Sequence, residues 1–380
     1  MRVRTRLLAC LAALALTAIA PPSAGAGTGR PGDLLTTEPS SFRTLPGVPT
    51  DTRAWKIHYR STSATGEPNV VSGTVVVPRD GATRPRPLIT YAVGTVGLGD
   101  RCAPSAGFPD GTTMEANLIL QLLRRGWAVV VTDYEGLGTA GEHTYTAGRS
   151  AGHAMLDAAR AALRLPDTGL SERSPIGVMG YSQGGQAAGW AAELHSSYAP
   201  ELAVKGTATG GVPAELAKLA PVHDGSYGSG LLFMAAAGQD AAYPELRLDS
   251  YLNTSGRALV SFLRENCVAL DSTVGSFKRI SDMTVRNPLD TAEWQRRLHE
   301  SDLGAAAPAR PVYLYHALAD ELIPYAQGTG LRSRWCARGG DVTWRTITVG
   351  EHVSGVISEA PRAADWLADR FAGAPTNSGC

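Results

Sequence analysis

The stretch PIGVMGYSQGGQAAGWAAELH, residues 175–195, places a serine between glycines at the junction of two different sequence patterns. A short apolar run before Gly180 is typical of a buried strand, and the alanine-rich run after Gly184 favours a helix. A G-x-S-x-G pentapeptide at such a turn raises a nucleophilic serine above the edge of a parallel sheet. The alternative is that Ser182 only caps the helix N-terminus in an ordinary loop.

The chain has 380 residues, with 35 basic and 35 acidic side chains, so its formal net charge is zero. This length suffices for one large α/β domain with an insertion or for two ordinary domains. No run of Lys or Arg appears after the first few positions, and the balanced charge gives no reason to expect nucleic acid as a partner. We expect a monomer.

The first 26 residues have the features of a secretory signal peptide. Three arginines within the first six residues precede an apolar run that ends at Ala20, and small residues follow it to a cleavage site near Ala26. The run is shorter than the ~20 residues that a membrane-spanning helix needs, so we expect no stable membrane anchor. It also continues well past Cys10, which argues against lipidation there. We therefore predict a secreted, extracellular protein.

Loss of the signal peptide would leave four cysteines in the mature chain: Cys102, Cys267, Cys336 and Cys380. An even number in an exported chain favours two disulfides over metal ligands, and no C-x-x-C spacing is present. These observations leave three pairings open. Because no other pattern indicates a metal site or a phosphate-binding glycine loop, we expect no metal and no cofactor.

The pattern along the chain predicts an α/β fold. After a leader rich in Pro, Gly and Thr, to which we assign no element, residues 53–61 and 69–78 predict a hairpin and residues 87–94 a third strand. Strand and helix patterns then alternate as far as residue 211, which is typical of a mostly parallel sheet with helices on both faces. Two more strands and a final amphipathic helix follow residue 307.

Between residues 212 and 307 the alternation stops, and the recognisable segments are helical. We predict that this segment, hereafter the insertion, is a helical cap or lid on an α/β-hydrolase core formed by residues 27–211 and 308–380. Its apolar stretch 230–238 is a candidate lining for an acyl-binding tunnel, although packing in the core is the simpler interpretation for most of its residues. The candidate substrate contacts are Leu231, Leu232 and Phe233.

Chain order selects the partners of Ser182. A serine hydroxyl needs a general base, and the base needs a carboxylate to orient it. In α/β-hydrolases the acid follows the serine and the histidine comes last, and of the eight histidines only His352 lies just after the final predicted strand. Asp320 follows the preceding strand. Its rival is Glu321, which we expect instead to cap the helix that begins near Pro324.

The negative charge that develops on the substrate oxygen needs preorganised N–H donors. The backbone of Gln183, directly after the serine, would supply one of them. The loop YAVGTVGLGDRCAPS, residues 91–105, would supply the second, and there we choose Thr95 and keep Val96 as the alternative. A simple turn is the other interpretation of the glycines in this loop.

These residues, with the motifs GTVGLGDRCAPS, VTDYEGLGT and GYSQGGQAA, make the chain resemble the secretory lipase family, which includes enzymes of the fungal lipase A type. The resemblance runs from about Gly66 to the C-terminus. It implies hydrolysis of triacylglycerols and simpler carboxylic esters, with a helical cap over the acyl-binding cleft and no metal. It also implies two disulfides, Cys102 with Cys267 and Cys336 with Cys380. The fungal type has an aspartate near the position of Thr95, where this chain departs from the pattern.

The predicted function is a secreted serine carboxylic-ester hydrolase, a lipase or esterase, that forms an acyl-enzyme at Ser182. One alternative is an acyltransferase with the same triad, which product analysis with an added acceptor alcohol would distinguish. The other is a non-catalytic binding protein that keeps the fold, because fold alone does not prove activity. Failure of a fluorophosphonate probe to label Ser182 would favour that alternative.

Overall fold

The computed structural model describes residues 29–82 and 85–380, so the predicted signal peptide lies outside the described residues. The strands are β1 (Leu34–Ser40), β2 (Arg43–Leu45), β3 (Val48–Pro49), β4 (Thr52–Thr62), β5 (Pro68–Pro78), β6 (Leu88–Ala92), β7 (Ala128–Thr132), β8 (Ile176–Tyr181), β9 (Val204–Gly210), β10 (Val312–Ala317) and β11 (Val342–Ile347).

The helices that belong to the α/β core are α1 (Pro104–Asp110), α2 (Ala116–Leu123), α3 (Gly148–Leu163), α4 (Gln183–Tyr198), α11 (Tyr325–Ala337) and α12 (His352–Phe371). Those between β9 and β10 are α5 (Leu216–His223), α6 (Ser229–Ala242), α7 (Thr254–Glu265), α8 (Val268–Gly275), α9 (Ile280–Met283) and α10 (Ala292–Glu300). Short 3-10 turns span Asp100–Cys102, Pro244–Leu246, Leu248–Ser250 and Pro288–Asp290. Within the described ranges no helix is long and apolar enough to cross a membrane.

One large sheet has the strand order β1-β4-β5-β7-β6-β8-β9-β10-β11. The predicted hairpin is β4 and β5, which pair antiparallel from Thr52 opposite Pro78 to Thr62 opposite Pro68. From β7 to β11 every neighbouring pair is parallel. The mostly parallel sheet predicted from the alternating pattern is therefore confirmed, and the antiparallel strands lie at its N-terminal edge.

Helices cover both faces of this sheet. Thr90 in β6 donates a hydrogen bond to the carbonyl of Met155 in α3. On the other face, a side chain at Gly177 would contact both Ile89, the neighbour of Thr90 in β6, and Leu367 of α12. Successive strand residues point to opposite faces, so α3 and α12 lie on opposite sides. Consequently every residue of β6, β7 and β8 is buried, as expected for strands that read as continuous apolar runs.

Strand β1 was not predicted, because the leader lacks the apolar pattern of a buried or half-buried strand. It pairs antiparallel with β4 at the edge of the sheet, and most of its side chains are exposed. An edge strand of this kind is held mainly by backbone hydrogen bonds, so LLTTEPS shows no apolar alternation from which it could be recognised.

The insertion has a hydrophobic cluster of its own that extends into the core. Phe233, Leu263 and Trp294 are buried in it, together with Leu98 and Tyr145 from loops of the α/β core. The structure describes every residue between β9 and β10, and none of them belongs to a strand. The helices of the insertion are therefore packed onto the loops at the carboxyl ends of the parallel strands, where ligands bind in open α/β sheets.

Candidate active site

Ser182 occupies a strained turn between β8 and α4, with φ of 59° and ψ of −122°. Positive φ is unfavourable for a residue with a side chain and recurs at functional sites. The two flanking glycines permit the turn, because a Cβ on Gly180 would lie 2.1 Å from the carbonyl oxygen of Gly184. A Cβ on Gly184 would in turn lie 2.0 Å from the carbonyl oxygen of Ala92. The pentapeptide thus has the backbone geometry of a nucleophile elbow.

The structure brings the three residues selected by chain order into one hydrogen-bonded series. His352 Nε2 lies 2.9 Å from Ser182 Oγ, and His352 Nδ1 lies 2.7 Å from Asp320 Oδ2. His352 opens α12 directly after the loop that follows β11, and Asp320 lies three residues after the end of β10. Both residues are buried, with exposed fractions of 5% for His352 and 8% for Asp320. This is the arrangement needed to remove a proton from the serine hydroxyl.

The carboxylate of Asp320 is held from several sides. Oδ1 accepts hydrogen bonds from the backbone N–H groups of Ile323 at 2.7 Å and Leu322 at 3.1 Å, and His316 Nε2 lies 3.4 Å from Oδ2. Burial alone would raise the pKa of Asp320, but the contacts with His316 and His352 hold this pKa well below its usual range. Asp320 is therefore ionised at neutral pH.

The expectation for Glu321 was wrong. Helix α11 begins after Pro324 without a side-chain cap, and Glu321 Oε2 instead accepts a hydrogen bond from the backbone N–H of His352 at 3.0 Å. The physical reason is that the loop after β10 approaches the first turn of α12, whose N–H groups have no partner within the helix. Asp320 and Glu321 thus contact the same histidine, one through its ring and the other through its backbone.

The loop predicted to complete the oxyanion hole passes beside the nucleophile, because a Cβ on Gly94 would lie 3.8 Å from Ser182 Cβ. The Thr95 hydroxyl forms a 2.7 Å hydrogen bond with the Tyr145 hydroxyl. The carbonyl of Val96 accepts a 2.8 Å hydrogen bond from the N–H of Val268 in the insertion. Both candidate residues of this loop are therefore fixed by contacts outside the loop.

Gln183, the other candidate donor, is the first residue of α4. Its side-chain Nε2 lies 3.1 Å from His143 Nε2, and His143 Nδ1 lies 3.1 Å from the carbonyl oxygen of Glu135. Because that carbonyl can only accept, Nδ1 carries the proton and Nε2 accepts from the amide. Burial lowers the pKa of His143 to about 4, so this histidine is neutral. His143 precedes Ser182 in the chain and so was not a candidate for the triad. Its hydrogen bond with Gln183, next to the serine, was not predicted.

Glu115 is a second residue that sequence reasoning missed. Its Oε1 accepts a hydrogen bond from the Gly94 N–H, and its Oε2 accepts one from the Tyr91 hydroxyl, each at 2.5 Å. Burial raises the pKa of this carboxyl, while the two hydrogen bonds oppose that shift. In the sequence Glu115 looks like an ordinary charge at the start of an amphipathic helix, so no local signal connects it to the serine.

An apolar cavity adjoins the serine and extends beneath the insertion. All three candidate substrate contacts, Leu231, Leu232 and Phe233, line it, and Phe233 also belongs to the hydrophobic cluster of the insertion. The remaining lining is mainly aliphatic and comes from both parts of the fold, including Leu216, Leu219, Leu252, Leu289, Leu298, Leu322 and Ile323. Such a lining can bury an alkyl chain next to the nucleophile.

The structure contains both disulfides that the resemblance implied. Cys102 and Cys267 are joined with their Cα atoms 5.5 Å apart, and Cys336 and Cys380 with theirs 5.4 Å apart. The first connects the loop beside Ser182 to the insertion. In the part of the chain that the structure describes, no group of three or more His, Cys, Asp or Glu side chains is arranged to hold a metal ion.

Solved structures with the same architecture define the class of fold. Lipase A of Candida antarctica superposes with a TM-score of 0.84 over 93% of this chain and 85% of that chain, at 23% identity. The rice cell wall degrading esterase LipA of Xanthomonas oryzae superposes with a TM-score of 0.75 over 91% of this chain and 100% of that chain, at 20% identity. The fold is that of the α/β-hydrolases.

Sequence comparisons define the family. Residues 109–379 match the model of the secretory lipase family, and the chain belongs to this family, as its motifs indicated. A probable inactive lipase of Mycobacterium tuberculosis is 32% identical over 93% of this chain and 81% of its own length. A secreted triacylglycerol lipase of Malassezia furfur is 29% identical over 92% of this chain and 74% of its own length.

Proposed function

We propose that the protein is a secreted serine hydrolase of carboxylic esters that works through an acyl-enzyme on Ser182. The observation that carries this proposal is the continuous hydrogen-bonded series in which His352 lies 2.9 Å from Ser182 Oγ and 2.7 Å from Asp320. Membership of the secretory lipase family and the names of its relatives support esters and lipids as the substrate class.

In this mechanism His352 removes the proton from Ser182 as the serine oxygen attacks the ester carbonyl. The ionised Asp320 keeps the imidazole in the tautomer that accepts at Nε2 and stabilises the imidazolium that forms. His352 then returns the proton to the leaving alcohol, and water releases the acid from the acyl-enzyme by the same steps. The backbone N–H groups of Gln183 and Thr95 stabilise the oxyanion.

The apolar cavity takes the acyl chain. Leu231, Leu232 and Phe233 contribute its wall from α6, so the insertion acts as the cap that covers the acyl group. Burial of each methylene of an acyl chain contributes about 0.8 kcal/mol, which favours esters of chains long enough to fill the cavity.

Export of the protein follows from the first 26 residues, which we infer are removed near Ala26. The two disulfides support this, because such bonds persist in oxidising compartments. Membership of a family called secretory lipases supports the same location.

The nucleophile is tested with purified protein and p-nitrophenyl butyrate. The wild type should release a burst of p-nitrophenol equivalent to the enzyme concentration, and Ser182→Ala should lose the burst and about 10⁴-fold or more of kcat. Ser333→Ala, an exposed position on α11, is the matched control and should retain both. Wild-type hydrolysis by Ser182→Ala would overturn the proposal.

A non-catalytic role is the second candidate, because a relative of comparable coverage is named a probable inactive lipase. A fluorophosphonate probe separates the two, since it reacts only with an activated serine. Labelling of the wild type but not of Ser182→Ala supports the hydrolase, and an unlabelled, correctly folded wild type supports the non-catalytic role.

A further inference from the structure

The polar side chains that line the apolar cavity are, with few exceptions, already engaged within the protein. Thr146 donates to the carbonyl of Tyr145 at 2.6 Å, and Thr284 donates to the carbonyl of Ile280 at 2.7 Å. The Tyr145 hydroxyl is bonded to Thr95, and the amide nitrogen of Gln183 is bonded to His143. These groups need no partner from a substrate.

Gln183 Oε1 and Trp294 Nε1 in this lining also lack a partner within the described residues, but His223 has two ring nitrogens without one. It is the last residue of α5, has an exposed fraction of only 6% and lines the cavity. Among the hydrogen bonds within residues 29–82 and 85–380, none involves its imidazole, although its backbone carbonyl accepts from Ser226. Burial lowers the pKa of this imidazole, and the carboxylate of Asp320 opposes that shift only in part. A neutral imidazole offers one donor and one acceptor, and no hydrogen bond within the described residues uses either of them.

The imidazole lies close to the loop after β10 that carries Asp320. A Cβ built on Gly228 would meet His223 Nδ1 at 2.4 Å and Leu322 Cδ2 at 3.4 Å, so the ring and the leucine flank the same glycine. The N–H of Leu322 donates to Asp320 Oδ1. His223 therefore adjoins the part of the cavity nearest the triad, where the groups next to a scissile ester would lie.

We propose that His223 is a specificity-determining residue that binds a hydroxyl group carried by the ester close to its scissile carbonyl. This inference rests on the proposed function and narrows its substrate class to hydroxylated esters. A hydroxyl both donates and accepts, so it matches the neutral imidazole, whereas an alkyl group at the same place would leave the imidazole buried without a partner. The hydroxyl belongs either to the acyl chain or to the alcohol.

Two matched substrate pairs distinguish these sources. The first pair is ethyl butyrate and its β-hydroxy derivative, which differ by one hydroxyl on the acyl chain. The second is propyl butyrate and glyceryl monobutyrate, which differ by the hydroxyls on the alcohol. Acid release at constant pH gives kcat/KM for each ester. For at least one pair, we expect the hydroxylated member to be preferred by about tenfold or more.

Variants at position 223 connect that preference to the imidazole. His223→Phe keeps an aromatic ring but removes both hydrogen-bonding groups, so the hydroxyl preference should fall to about one. His223→Gln keeps a donor and an acceptor and should restore part of it. Leu219→Met, one turn earlier on α5 and also in the cavity lining, is the control, and it should change the rates of both members of a pair by the same factor.

The outcomes separate this inference from the proposed function. If the wild type hydrolyses both members of both pairs equally well, or if folded His223→Phe keeps the preference, the hydroxyl site is wrong while the hydrolase stands. If the wild type hydrolyses none of the four esters and resists the fluorophosphonate probe, the proposed function fails and the hydroxyl site with it. Thermal unfolding and probe labelling of each variant establish that it is folded.

Discussion

Glu115 and Gly94 are joined by a 2.5 Å hydrogen bond from the backbone N–H of the glycine to Oε1, immediately beside Ser182. The second carboxylate oxygen is bonded to Tyr91, which belongs to β6. Glu115 therefore fixes the loop that carries the candidate oxyanion donor to the strand from which the loop emerges. A loop whose amides must meet a developing charge gains from such an anchor, because donors misplaced by a small distance stabilise the oxyanion less well.

Replacing Glu115 with alanine should lower kcat for p-nitrophenyl butyrate by about tenfold to a hundredfold with little change in KM. The variant would lose the anchor of the candidate oxyanion donor, which stabilises the transition state rather than the bound substrate. Glu115→Gln, which still accepts from Gly94, should fall between this variant and the wild type. Initial rates over a range of substrate concentrations give both constants. An unchanged kcat in Glu115→Ala would show that the loop keeps its position without the carboxylate.

The two acidic residues that contact His352 should differ in kcat. Asp320→Asn replaces the group that orients the imidazole and should reduce kcat by about 10⁴-fold. Glu321→Gln still accepts from the backbone N–H of His352, so its kcat should fall by less than about tenfold. Equal losses of kcat in the two variants would contradict the assignment of Asp320 as the acid.

Asp271 should make the stability of the protein depend on pH. The side chain is fully buried in α8, and burial raises its pKa to about 7. Among residues 29–82 and 85–380, neither of its carboxylate oxygens has a hydrogen-bond partner. The folded protein thus holds a proton that the unfolded chain releases near pH 4, so this group reduces stability as the pH rises from about 4 to 7.

Asp271→Asn removes that titration and should raise Tm at pH 8 by several degrees while changing it little at pH 4. Asp369→Asn, at an exposed position on α12, is the control and should shift Tm by similar small amounts at both pH values. Thermal unfolding followed by circular dichroism checks both variants. A gain at pH 4 as large as that at pH 8 would contradict an ionisation effect.

The two disulfides should have separable effects. Replacing either pair with alanines should cost about 2 to 4 kcal/mol of stability, but only the pair Cys102 and Cys267 connects the loop beside Ser182 to the insertion. Removal of that pair should therefore also lower kcat, measured well below Tm, whereas removal of Cys336 and Cys380 should leave kcat near the wild-type value. Equal kcat values for the two double variants would show that the loop does not depend on its covalent connection.

Much of this architecture could be predicted because its signals are local. The nucleophile elbow needs a short apolar strand, two glycines and a helix in immediate succession. Chain order then selected Asp320 and His352, which lie in one hydrogen-bonded series with Ser182. Glu115 and His223 could not be found in this way, since each acts through neighbours distant in sequence. The carboxylate meets Gly94 only after α2 packs against the sheet, and the imidazole joins the cavity only when the insertion covers it.

The loop beside Ser182 and the insertion are joined at several neighbouring points. Gly97 pairs with Cys267, the Val96 carbonyl accepts from Val268, and Cys102 is covalently bonded to Cys267. An insertion exchanged for that of a relative would therefore carry the wrong partner for this loop. When the insertion is exchanged between members of the family, we expect the substrate range to be transferred if residues 94–102 are exchanged with it. We expect the exchange to fail if the insertion is transplanted by itself.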